Sequence, residues 1–281
     1  MSYPVPFSFE LYPARTEAGM DMVAETATAL AAAGPEFVSV TYGAAGSSND
    51  RSLGLLGHLH GAGARTVAHL TTVGQTRAQL VERAETFLAA GVRDFLALRG
   101  DLPASGDAGE LDGPVPLIAL LHEVAARLGA EIAVGVAAYP QGHGRTGDIA
   151  GDIRALLAKQ AAGASYAISQ VVFEASAYGS FVAAARAAGV TIPIIPGLMP
   201  VSSSQKLERV AELTGVDAPI SLVEALLAAG DIDREVVAIR STARLAQELL
   251  AAGAPSIHLY AFNRHETVLA VLDELTSAAL V

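Results

Sequence analysis

A (β/α)8 barrel is the fold the sequence predicts, and three observations carry it. Eight short runs rich in β-branched and aromatic residues alternate with helical patterns along the 281 residues. Several of those helical patterns stop at Ala-Gly, at Ala33-Gly34, Ala90-Gly91, Ala162-Gly163 and Ala188-Gly189, where glycine takes the left-handed conformation that closes a helix. Unusual polar residues collect where the runs end: Glu10, Thr41, His69, Arg99, Asp101, Tyr139, Gln170 and Asn263. In such a barrel the strand C-termini share one face, and that face holds the active site. Residues far apart in the chain therefore converge on one pocket.

The elements follow in order. Strands are predicted at about 7–12, 37–42, 66–71, 94–99, 131–138, 166–173, 192–198 and 256–262, each bounded by turn residues. Helical spacing of apolar residues fills the gaps, as at 19–33, 76–90, 117–128, 148–162 and 175–188. Residues 101–116 are rich in Gly, Pro and Asp and show no periodicity, so they form a loop on the active face and a candidate lid. Between Val201 and Gly253 there is room for more than one helix, which predicts an insertion in the seventh connection.

Length and composition fit one catalytic barrel spanning residues 1–281. Hydrophobic residues make up 52% and charged ones 17%, as suits a parallel sheet buried on both faces. A net charge of -11 disfavours nucleic acid and anionic membrane as partners, since both repel the average field. Without cysteine there is no disulfide framework, thiolate metal site or thiol nucleophile. The N-terminus lacks the pattern of a secretory signal, and no apolar stretch approaches the roughly 20 residues of a membrane span, so the expected location is the cytoplasm. His58 and His60 stand two apart on a predicted helix and share no face, so no metal site is read. The two lysines, Lys159 and Lys206, fall on helices instead of strand ends, which disfavours a Schiff-base aldolase. No G-x-G-x-x-G opens a helix after a strand, so a Rossmann site is unsupported. Oligomeric state is left open, a homo-oligomer included.

Four groups of residues carry candidate chemistry. Glu10 is a carboxylate in an apolar strand, FSFELYP, where desolvation is expected to raise its pKa and suit it to general acid work. The structural alternative is an ion pair with Arg15 or Arg99. Arg99-Gly100-Asp101 offers a bidentate cation, a close backbone approach and an acceptor, or simply a turn. Tyr139-Pro140-Gln141-Gly142-His143, with Asp152, Arg154 and Lys159 beyond, suits a nucleotide through stacking and phosphate neutralisation, or is a turn before a solvated helix face. His69 can donate to a cofactor carbonyl or be a satisfied core histidine.

The stretches FSFELYPAR, FVSVTYGA, VAHLTT, LALRGDLP, VAAYPQGH, YAISQVVF, IIPGLMPVSS and FNR, in this order, resemble the catalytic domain of methylenetetrahydrofolate reductase. The resemblance covers almost the whole chain. It implies FAD at the strand C-termini, NADH as electron donor, and reduction of 5,10-methylenetetrahydrofolate to 5-methyltetrahydrofolate by a ping-pong cycle. Glu10 would protonate the folate N10 and open the ring to a 5-iminium cation, which Asp101 would stabilise. Flavin contacts would fall to Thr41, Tyr42, Ala44, His69, Arg99, Gly100, Asp101, Tyr139, His143, Asp152 and Lys159. Gln170 would bond the pterin, and Arg264 would reach the folate.

Some positions depart from the family pattern. Where it presents a glutamine and a stacking aromatic after the seventh strand, this chain has Lys206 and Val210. Lys206 is then expected to attract the folate glutamate tail, and a larger side chain at Val210 to tighten binding. Where it has Tyr-Ala-Ser, this chain has Gly113-Pro114-Val115, and Ala155, Ala158 and Ala161 replace polar residues on the fifth helix. Two alternatives follow: a flavin-free reductase passing hydride directly, and a non-catalytic barrel that binds folate or flavin. Regulation by S-adenosylmethionine is not expected, because the chain stops after the eighth helix.

Overall fold

The computed structural model describes residues 3–41, 49–101, 106, 108–142, 148–230 and 233–278. Strands β1 (Phe7–Leu11), β2 (Val38–Val40), β3 (Thr66–Thr71), β4 (Asp94–Leu98), β5 (Ala133–Ala138), β6 (Tyr166–Val171), β7 (Ile194–Leu198) and β8 (Ile257–Tyr260) form a closed barrel in chain order. Every neighbouring pair is parallel, including β8 with β1. Around it lie α1 (Glu17–Ala32), α2 (Asn49–Gly61), α3 (Arg77–Ala89), α4 (Pro114–Arg127), α5 (Ile149–Ala161), α6 (Ala175–Ala187), α7 (Ser204–Thr214), α8 (Ile220–Ala228), α9 (Asp233–Ala251) and α10 (His265–Ala278). The predicted fold class is the observed one.

Alternation within the strands decides what the barrel encloses. In β1 the odd positions Phe7, Phe9 and Leu11 pack under the helices with Val23, Ala27 and Leu30 of α1, which leaves Ser8 and Glu10 facing the interior. A second buried cluster, Phe37, Val67, Leu96, Ile168 and Ile195, fills the barrel axis with Tyr166 and Leu98 against it. The Phe37 ring stacks under His258 at 5.8 Å. Apolar layers thus form a floor, and Ser8, Ser39, Ser169 and His258 are buried polar residues of the barrel.

Local chemistry sets the helix ends. Thr16, Asp148 and Ser203 cap α1, α5 and α7 by accepting backbone N–H groups, and Thr76 with Gln79 closes a capping box on α3. The four Ala-Gly stops behave as expected, each glycine with positive φ. The seventh connection does hold an insertion: α7 and α8 precede α9, which is the helix that packs back on β7 and α6.

Strand ends differ from the sequence expectation. β6 stops at Val171 and β8 at Tyr260, each two residues short of the predicted end; β2 ends at Val40, and Tyr42, the last residue expected in it, lies outside the described residues. Past β6 and β8 one further N–H still bonds across, Val172 to Gly197 O and Ala261 to Glu10 O, before Phe173 and Phe262 leave the ladder, a change that propensity cannot register. Residues 102–105 and 107 of the expected lid lie outside the described residues. Its C-terminal end is fastened to the loop before α3, where Glu110 N–H donates to Gln75 O at 2.9 Å and Arg77 N–H to the Glu110 carboxylate at 2.8 Å.

Candidate active site

Closure of β8 onto β1 builds the centre of the site. The register pairs Ser8 with His258 and Glu10 with Tyr260. Glu10 Oε2 lies 3.5 Å from His69 Nε2 and 3.7 Å from His258 Nε2, so two imidazoles from opposite flanks address one carboxylate oxygen. Ser8 Oγ sits 2.8 Å from His258 Nδ1 and fixes that ring. Tyr260 stands edge-on to His258 at 5.3 Å and donates its hydroxyl to Ser169 O at 2.9 Å.

This arrangement corrects two expectations. Neither Arg15 nor Arg99 pairs with Glu10; its basic neighbours are histidines. Burial pushes the Glu10 carboxyl up, as expected, but His69 and His258 outweigh it and hold the group below its usual range. Burial also pushes the His69 imidazolium down, against the pull of Glu10. The Glu10 side chain keeps 21% of its exposure.

A shelf of unsatisfied polar atoms borders this centre. Thr41 Oγ1, just past β2, and Gln141 Oε1, in the turn after β5, are buried without a hydrogen-bond partner, and His69 Nε2 within β3 faces Glu10 at 3.5 Å. Buried polar groups are normally paired, so Thr41 Oγ1 and Gln141 Oε1, both past strand C-termini, suit the polar edge of a bound ring system; Tyr166 Oη and Ser256 Oγ are orphans at the other end of the barrel. Gly100 has φ +84°, and a Cβ there would press against Thr71 at 3.0 Å, which holds the backbone close to β3. Arg99 is half-buried beside it, and Asp101 is exposed. Asp152 and Lys159 of α5 are buried, with the Lys159 ammonium 2.7 Å from Ala137 O and 5.7 Å from the Tyr139 ring centre. Tyr42, Ala44 and His143 lie outside the described residues.

Burial pushes the Lys159 ammonium down to about 8, with Asp152 opposing. Below that pH the residue is charged folded and unfolded, and the cost of burying the charge is fully present. Between about 8 and 10.4 the unfolded chain binds the extra proton, so stability rises with pH. Lys159→Met is therefore expected to stabilise the cofactor-free protein at pH 7 by about 2 kcal/mol, after allowing about 1 for the lost bond to Ala137 O. The gap should close toward pH 10 in denaturant titrations; a gap constant with pH would mean the ammonium is well solvated.

On the β6–β8 side Gln170 turns its Oε1 onto its own strand, accepting from Val171 N–H at 2.8 Å. Lys206 is exposed in the first turn of α7, and Val210 is one turn further on the same helix. Val210 is only 8% exposed and packs with Val171, Val216 and Tyr260. The expectation that a larger residue there tightens binding is thereby corrected, because it would overpack the wall behind Tyr260. Arg264 pairs with Glu235 at 3.3 Å. The sequence reading missed Ser8, His258 and Tyr260. Their parity with Glu10 across a closed barrel was the available signal.

A family model described as methylenetetrahydrofolate reductase matches residues 3–276. The chain belongs to the methylenetetrahydrofolate reductase family. It is 32% identical over 272 residues to the 5,10-methylenetetrahydrofolate reductase of Pectobacterium carotovorum subsp. carotovorum, covering 95% of this chain and 89% of that one. A Caenorhabditis elegans relative, described as a probable methylenetetrahydrofolate reductase (NADPH), is 32% identical; the match covers 96% of this chain but 42% of that one. Among solved structures, an uncharacterized protein from Clostridium thermocellum that binds two copies of 5-methyl-5,6,7,8-tetrahydrofolic acid superposes with a TM-score of 0.65 at 15% identity, covering 98% and 96% of the two chains. That likeness supports the barrel. Among the described residues no helix is long and apolar enough to cross a membrane, and no group of three His, Cys, Asp or Glu is placed to hold a metal.

Proposed function

We propose that the protein reduces 5,10-methylenetetrahydrofolate to 5-methyltetrahydrofolate with electrons from NADH passed through FAD, each substrate occupying the barrel mouth in turn. The observation that carries this reading is Glu10, a carboxylate held between His69 and His258 beside a shelf of orphaned polar atoms. When bound, FAD would supply two-electron redox chemistry between the nicotinamide and the folate. Thr41, His69, Arg99, Gly100, Tyr139, Asp152 and Lys159 would hold it, with Tyr42, Ala44 and His143 completing the set.

The chain's own residues supply the proton and the placement. Glu10 delivers a proton to N10, and the lone pair on N5 then opens the ring to the iminium cation. The Ser8–His258 pair holds in place the imidazole that faces Glu10. Asp101 stabilises the cation, and the Gln170 amide grips the pterin. Arg264 reaches the folate by exchanging its partner Glu235 for a substrate carboxylate.

Lys206 is placed to attract the glutamate tail, since an exposed flexible ammonium suits a carboxylate. Lys206→Gln is expected to weaken folate binding about two- to fivefold at low salt, with the difference vanishing near 1 M salt through screening. Affinities equal to the parent's at all ionic strengths would remove α7 from the folate site.

An anaerobic visible spectrum tests the whole reading. The purified protein should be yellow, bleach on adding NADH and regain colour on adding 5,10-methylenetetrahydrofolate. A parallel addition of NADPH decides the donor, which the name of the nematode relative makes a live question. A colourless protein that still turns over would instead support direct transfer from nicotinamide to folate, in line with the alanines of α5. A protein that binds ligand without turnover would be a carrier.

A further inference from the structure

Strand β8 ends at Tyr260, and the chain then turns sharply over the barrel mouth. Arg264 N–H donates to Ala261 O at 2.9 Å, and the two residues between, Phe262 and Asn263, hold φ of 48° and 56°. Two positive φ values at the centre of a four-residue turn favour Asn, Asp or Gly. Asn263 suits its place, and its side chain clamps β1 by accepting from Tyr12 N–H at 3.0 Å and donating to Tyr12 O at 2.7 Å. Phe262 does not suit its place. Its bulky side chain strains a left-handed backbone, and the residue is 50% exposed, so burial does little to offset the strain. Among the described residues, these are the two non-glycine positions with positive φ.

The turn also sits against the acid. Ala261 N–H donates to the backbone carbonyl of Glu10 at 3.2 Å, so Phe262 stands one residue beyond the group bonded to Glu10. Tyr12, 40% exposed, lies on the other side of the Asn263 clamp. Two exposed aromatic residues therefore follow the C-terminal ends of β1 and β8, the paired strands that carry Glu10 and His258.

We infer that Phe262 is a substrate-binding residue whose ring stacks on the aryl ring of the folate, an assignment that rests on the reductase reading above. The substrate's own connectivity places the two rings together. In a folate the aryl ring is bonded directly to N10, the atom Glu10 protonates, so N10 over Glu10 sets the aryl ring at the next group outward. We take that group to be the Phe262 turn, which begins one residue past the Ala261 N–H bonded to Glu10 O. The clamp by Asn263 orders the turn before the ligand arrives, which lowers the entropy lost on binding and explains why strain is tolerated in an exposed loop.

Two variants test this. Phe262→Asn suits the positive φ and removes the ring, and Phe262→Tyr keeps it. In Phe262→Asn the product, 5-methyltetrahydrofolate, should bind about three- to tenfold more weakly, and the Michaelis constant for the methylene substrate should rise by a similar factor. Its Tm should stay within about 3 °C of the parent. Phe262→Tyr should restore both constants. Folate affinity unchanged in Phe262→Asn overturns the assignment, whichever way its Tm moves. An unsubstituted protein that neither binds nor reduces folate overturns the reductase reading itself, and the two failures are told apart by that control.

Discussion

Glu10→Gln is expected to abolish folate reduction while NADH still bleaches the flavin. Loss of a positioned acid costs about 10²–10⁴ in rate, and an amide cannot supply the proton that N10 needs before the ring opens. Reduction of the flavin by NADH needs no such proton, so rapid-reaction measurements of the two half-reactions should separate by at least about a hundredfold. Because His69 and His258 hold the free carboxyl below its usual range, its acid form is the minor one at neutral pH. The kcat/KM for folate should therefore fall as pH rises through the neutral range, whereas the flavin half-reaction should not follow that slope. Equal losses in both half-reactions would assign Glu10 to the scaffold.

Asp101→Asn should slow folate reduction by about 10²–10³, the usual cost of removing one preorganised group facing developing charge. Asp101 follows Gly100, whose positive φ turns the chain at the end of β4, and it is exposed on the barrel mouth. The amide keeps the shape and loses the charge, so flavin retention should change little and the iminium cation should lose its counter-charge. Parental single-turnover rates with 5,10-methylenetetrahydrofolate would reduce Asp101 to a turn residue.

The architecture was legible because its signals are local. Strand runs, helical spacing and Ala-Gly stops each depend on a few neighbouring residues, and all eight strands appear where these signals place them. The room for extra helices after Val201 was legible for the same reason. Strand ends were less so: the VVF of β6 and the YAF of β8 have strand propensity throughout, yet Phe173 and Phe262 leave the ladder, because the turn over the mouth is dictated by what lies across it.

The candidate site divides along the same line. Glu10, His69, Asp101, Tyr139 and Gln170 could be picked out because polar residues closing apolar runs stand out in one dimension. His258 needed the closed barrel as well, since a histidine inside IHLY reads as an ordinary strand residue until its parity is matched to Glu10 across the β8–β1 seam. The direction of the Glu10 shift followed from that closure: the apolar strand alone argues for a raised pKa, and two imidazoles some 60 and 250 positions away reverse it. Val210 shows the reverse case, a residue that one-dimensional matching places toward substrate and packing turns into the wall behind Tyr260. By itself the sequence determined the barrel, its order and most of the polar residues at its mouth, because backbone preference and alternation act over a few residues. Tertiary structure alone decided which of those groups touch, what charge they carry and where Phe262 points its strain, because Coulomb forces, burial and turn geometry depend on neighbours that only the closed barrel supplies.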